Sequence, residues 1–79
     1  MKSQFVISRV FTSYLVAVIG NEVVVEPLLT PKRSRASRTI ADSLQIIANA
    51  KLMLAYSKEP EQYLKEYFKS KGWMIEDAP

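Results

Sequence analysis

The chain has 79 residues, eleven of them Lys or Arg against eight Asp or Glu, with no Cys, no His and 48% hydrophobic residues. A chain this short forms one small domain with a thin core, burying only about 60–65% of the surface its unfolded form exposes. Without thiol or imidazole, disulfides, thiolate zinc sites, cysteine nucleophiles and histidine general bases are all excluded.

The hydrophobic content argues against disorder, and the net charge of +3 permits a polyanionic partner without requiring one. With disulfide and zinc staples gone, self-association or docking on a larger assembly is the expected way to complete the core. The absence of Cys fits a reducing compartment, so a cytoplasmic location is expected.

MKSQFVISRVFTSYLVAVIG superficially resembles a signal peptide. Arg9 and the pair Thr12–Ser13 interrupt its apolar stretch, no small-x-small site follows, and it is too short and polar to span a bilayer. No secretion and no membrane contact are therefore expected. Within residues 5 to 19 the polar positions Ser8, Arg9, Thr12 and Ser13 recur four apart, a helical rhythm. The residue types oppose that reading, since ten of these fifteen are β-branched or aromatic.

The next residues decide. Gly20–Asn21 reads as a Gly-first two-residue turn, and EVVVE as a strand. The expectation is a hairpin pairing Tyr14 to Ile19 with Glu22 to Glu26, with residues 5 to 11 extending the first strand or forming a third. Pro27 donates to no ladder, so the strand at 22–26 ends there or lies on an edge.

Residues 30 to 38 lack hydrophobic patterning and read as a basic loop. It carries Lys32, Arg33, Arg35 and Arg38, interspersed with Ser34 and Ser37, and no acid lies between Pro27 and Asp42. Thr39–Ile40–Ala41–Asp42 fits a capping box, which predicts a helix over about 40–56. Ile40, Leu44, Ile47 and Leu54 would share its inner face, widened by Ala41, Ala48, Leu52 and Ala55, with Lys51 snorkelling at the border. Ile46 and Met53, seven apart, point the other way: either a neighbouring element covers them or they form a second contact surface.

A second helix over about 60–71 is clearly marked. Pro60 suits its first position, Glu59 and Glu61 lie at the positive end of its dipole, and Lys69 and Lys71 at the negative end. Glu61 and Lys65 form an i,i+4 pair. Gly72 reads as a left-handed closing residue, with Trp73 folding back on Phe68. Tyr63, Leu64, Tyr67, Phe68 and Trp73 then belong to the core. The acidic tail 76–79 is expected to fray.

These elements predict an α+β fold: an N-terminal β-hairpin or three-stranded antiparallel meander with two helices packed on one face. No catalytic constellation is legible. Gly20 and Gly72 are the only glycines, which excludes a Gly-rich phosphate loop, and no motif sets a base beside a nucleophile. Glu22 and Glu26, on one strand face, would lie roughly 13 Å apart, too far for a carboxylate dyad. No metal, cofactor or small-molecule substrate is implied.

The expected function is non-catalytic: a small interaction or regulatory protein that self-associates or docks on a protein assembly, with Ile46 and Met53 as apolar contacts. The alternative is nucleic-acid binding. Arginine forks at Arg33, Arg35 and Arg38, with Lys32, Ser34 and Ser37, suit phosphates or an acidic protein patch. A third reading makes the loop a solvated connector. Phosphorylation of Ser34 or Ser37 would cancel much of its charge.

Overall fold

The β-branched and aromatic bias of the first 28 residues takes the form of three strands. The computed structural model describes residues 2–10, 12–28, 35–54 and 59–78. Lys2–Arg9 (β1), Thr12–Ile19 (β2) and Glu22–Leu28 (β3) form an antiparallel meander. The helical rhythm of the polar pairs has a different origin: Ser8 opposes Ser13 and Arg9 opposes Thr12 across the β1–β2 connection. Gly20 adopts φ +62°, the left-handed region a Gly-first turn needs, and Ile19 therefore opposes Glu22. β3 is an edge strand and runs to Leu28, so Pro27 lies within it, as an edge permits.

Helix α1 spans Arg35–Leu54 and α2 spans Pro60–Ser70. The chain then returns as a fourth strand, Met74–Asp77 (β4), which pairs antiparallel with β1 and completes the sheet order β3-β2-β1-β4. This corrects the expectation of a frayed tail, since Glu76 and Asp77 stand opposite Val6 and Phe5 in a ladder. β1 offers a second row of backbone donors and acceptors, and the turn after α2 delivers the chain to it. That turn follows the sequence closely. Gly72 has φ +94°, its N–H donates to the Lys69 carbonyl, and the Trp73 N–H reaches back to the Phe68 carbonyl at 3.1 Å.

Strand alternation sends Phe5, Ile7, Tyr14, Val16, Val18, Val23 and Val25 to one face, where all are buried. Ala41 and Ala48 of α1, Leu64 and Phe68 of α2, and Trp73 close over them as one core. Aromatic edges order this core: Trp73 meets Tyr14 in a T-shaped contact at 5.7 Å, and Phe68 is tilted against Phe5 at 6.4 Å. Both helices lie on this face. Among the described residues no helix is long and apolar enough to cross a membrane.

Two expectations about α1 are corrected. It starts at Arg35, not after Thr39, so Thr39 and Asp42 lie inside the helix and form no capping box. Arg35, Ser37 and Arg38, assigned to the basic loop, occupy its first turn. Arg and Ala are strong helix formers, and nothing from Arg35 onward breaks the helix before Leu54. Lys32, Arg33 and Ser34 lie outside the described residues, as do Ala55 and Tyr56 at the expected helix end.

Candidate interaction surfaces

The orientation of α1 is set by the edge it covers. An edge strand presents unpaired amides on its outer side, and on β3 two of them meet side chains of α1. The Val23 N–H donates to Asn49 Oδ1 and the Val25 N–H to Gln45 Oε1, each at 2.9 Å. Asn49 Nδ2 donates in turn to the Val23 carbonyl and to the Gln45 carbonyl, both at 2.9 Å. Asn49 thus imitates a neighbouring strand, offering an acceptor and a donor to one residue of β3.

This arrangement turns the helix away from the orientation its aliphatic residues imply. Ala41, Leu44, Ala48 and Leu52 face the core with Gln45 and Asn49 beside them. Ile40 and Ile47, expected on the inner face, are 41% and 39% exposed. Ile46 and Met53 are 70% and 80% exposed, covered by neither a strand nor α2. Two amide residues spaced i,i+4 beside an apolar stripe were the available signal.

The outer face of α1 consequently carries Ala36, Thr39, Ile40, Ser43, Ile46, Ile47, Ala50 and Met53, all exposed. At 3.6 residues per turn they cover about 140° of the helix circumference. None is charged. Small residues recur at 36, 43 and 50, flanked by Ile40 and Ile47 on one side and Ile46 and Met53 on the other. Arg38 and Asp42 border the stripe on one side, and Lys51, its ammonium 5.2 Å from the Tyr67 ring centre, on the other.

The sheet face opposite the helices is the second apolar surface. The ladders set Val6 beside Leu15, Gln4 beside Ala17 and Ala17 beside Val24. Leu15, Ala17, Ile19 and Val24 line a shallow depression with Gln4 and Glu26. Its borders are acidic: Glu26 opposes Leu15, Glu22 opposes Ile19 and Glu76 opposes Val6.

The described cations lie on β1, α1, α2 and the turn after α2. Arg38 is exposed in the first turn of α1. Arg9, at the end of β1, lies with its guanidinium carbon 4.0 Å from the Trp73 ring centre and donates from Nη2 to the Lys71 carbonyl at 2.8 Å. Lys65 bridges Glu61 at 2.8 Å and Asp77 at 3.2 Å. The hydrogen bond from Lys65 holds the Glu61 carboxyl below its ordinary pKa, and the same bond raises that of Lys65. Among the described residues no cluster of His, Cys, Asp and Glu is arranged to hold a metal ion.

No family model, curated protein or solved structure shows a significant match to the chain.

Proposed function

We propose that the chain is a non-catalytic interaction protein that pairs with a second copy of itself through the outer face of α1. The observation that supports this is the stripe from Ala36 to Met53, none of whose eight exposed residues is charged. A helix that faces water normally presents polar and charged side chains there. Here four large apolar side chains and a row of Ala and Ser take that place.

The stripe suits its own copy better than a charged partner. Bringing two such faces together over Ala36 to Met53 juxtaposes no like charges among those eight residues and strands none between them. The small residues at 36, 43 and 50 let two backbones approach closely, and the flanking Ile and Met side chains pack on either side of that contact. The open sheet face is a poorer candidate for self-pairing, because Glu22, Glu26 and Glu76 would meet their own copies there.

Size sets the strength. The stripe is roughly 27 Å long at 1.5 Å per residue and covers on the order of 400 Å² on a helix about 11 Å wide. Two such faces bury about 800 Å², below the 1,200–2,000 Å² of a standard stable interface. A reversible dimer forming in the micromolar range or above is expected.

Sedimentation velocity from about 5 to 500 μM tests this. The weight-average mass of the wild type should rise towards twice the monomer mass, and I46D should remain monomeric throughout while melting like the wild type. A wild type that is still monomeric at the highest concentration would reject self-pairing.

A further inference from the structure

The charges of the folded chain are sorted along its length in a way that the modest net charge hides. Gln45 lies beside Val25 and Asn49 beside Val23, so α1 runs antiparallel to β3. Arg38, seven residues before Gln45, is then about 10 Å further along. That puts it level with Leu28, three residues or about 10 Å beyond Val25. The ladders carry the same level across the sheet: Leu28 opposes Ser13, Ser13 opposes Ser8, and Ser8 opposes Met74. Arg9 is the next residue outward, and its hydrogen bond to the Lys71 carbonyl fixes the last turn of α2 there too.

One end of the molecule therefore gathers Arg9, Arg38, Lys69 and Lys71 from three separate elements, all exposed. Arg35 begins α1 at the same end. The eight acids of the chain are all among the described residues, and none lies at this level. Glu26, Asp42, Glu66 and Glu76 come nearest, each two strand residues or at least three helix residues inward, about 5–7 Å. Among the described residues none of the four cations forms an ion pair.

We propose that this end binds the phosphate backbone of a nucleic acid. The cations do not converge on a point, as a site for a single phosphate would require. They spread across the sheet from the α1 side to the β4 side, on the order of 15 Å at about 4.8 Å per strand. Duplex DNA offers about nine charges over that length. Arg9 is already immobilised against Trp73, so it loses little freedom on meeting an anion. A protein interface would need an apolar centre and a bilayer would need apolar insertion, and the exposed large apolar side chains at this end among the described residues are Val10 at the tip and Met74 on the flank. The contacts are to backbone, so little sequence preference is expected. The proposal is independent of pairing through α1, which uses other residues.

Fluorescence anisotropy of the full chain with a labelled 20-base-pair mixed-sequence duplex, from 25 to 200 mM KCl, tests it. The wild type should bind, with log K falling against log salt at a slope of about −3 to −4. R38Q/K69Q/K71Q, which spares the structural Arg9, should reduce the slope by about 2.5 while circular dichroism shows an unchanged fold. K2Q removes a cation at the opposite end of β1 from Arg9, where Lys2 pairs with Ile19, and should leave the slope unchanged. No binding at 25 mM salt would overturn the proposal. So would a loss of slope in K2Q as large as that per charge in the triple variant, or tighter binding to phosphatidylserine vesicles than to the duplex.

Discussion

Replacing Asn49 by Ala tests the account of how the sheet edge is sealed. The substitution keeps the helix, since Ala is the best helix former, and removes three hydrogen bonds. Two of them satisfy both backbone groups of Val23. Each hydrogen bond contributes a net ~0.5–1.5 kcal/mol, and a buried group left unpaired costs ~1–3 kcal/mol. The site is only partly buried, so water relieves some of that cost, and a loss of about 2 kcal/mol is expected. For a domain of this size that lowers the melting temperature by about 10 °C. Urea unfolding at pH 7 measures the loss, and amide exchange locates it: Val23 should lose protection while Val16, bonded within the sheet, keeps it relative to global stability. A change below about 0.5 kcal/mol with Val23 still protected would refute the idea that side chains of α1 stand in for a fifth strand.

Asn49→Asp sharpens the same test through its pH dependence. The carboxylate still accepts from the Val23 N–H, but its second oxygen faces the Val23 and Gln45 carbonyls where Nδ2 used to donate. The charged form is disfavoured there, so the folded pKa should lie above the unfolded one. A raised folded pKa gives a contribution that is present below the unfolded value and lost as pH rises through the folded value. The variant should therefore be closer to wild type at pH 4 than at pH 7.

Two further predictions concern the core and the surface. The Tyr14 hydroxyl is buried with no hydrogen-bond partner among the described residues, so Tyr14→Phe should be neutral or stabilise by up to about 1 kcal/mol in urea unfolding. A loss above 1 kcal/mol would show that the hydroxyl is satisfied. Glu61→Gln should cost under about 1 kcal/mol at pH 7, because its pair with Lys65 is solvent-screened. The folded pKa of Glu61 is depressed, so this contribution is present above the unfolded value and lost as pH falls through the folded one. Parent and variant should converge as pH falls below the folded value, and a gap that widens with acidification would contradict the assignment.

Much of the fold was legible where a local rule has one physical outcome. Gly20–Asn21 between β-branched runs forces a hairpin, and Pro60 with Gly72–Trp73 brackets α2 by chain geometry alone. β4 was not legible, since MIED is short, carries two acids and lacks alternation; it is a strand because β1 has a free side. The inner face of α1 was misread for a related reason. Helical periodicity ranks positions by hydrophobicity, and that ranking favours Ile40 and Ile47 over Gln45 and Asn49. Only the unpaired amides of an edge strand, a tertiary fact, give the two amide side chains priority. The sorting of charge is likewise tertiary, because Arg9, Arg38 and Lys71 reach one end of the molecule only through the antiparallel path of chain between them.

The orientation of α1 bears on the proposed pairing. Turning the helix by one residue position or so would bury Ile40 and Ile47 and leave Val23 and Val25 without partners. The chain takes the other course, with amides inward and isoleucines outward. For an isolated monomer that trade leaves apolar area in water, whereas the edge amides could have been solvated. It becomes favourable when a second surface covers the stripe, since the edge is then sealed and the isoleucines are buried as well. Sealing β3 also blocks that edge from adding strands of another chain, which leaves the helix face as the route to association on this side of the molecule. Asn49→Ala and I46D should thus separate cleanly: the first weakens the fold without changing the outer face, and the second abolishes pairing without changing the fold.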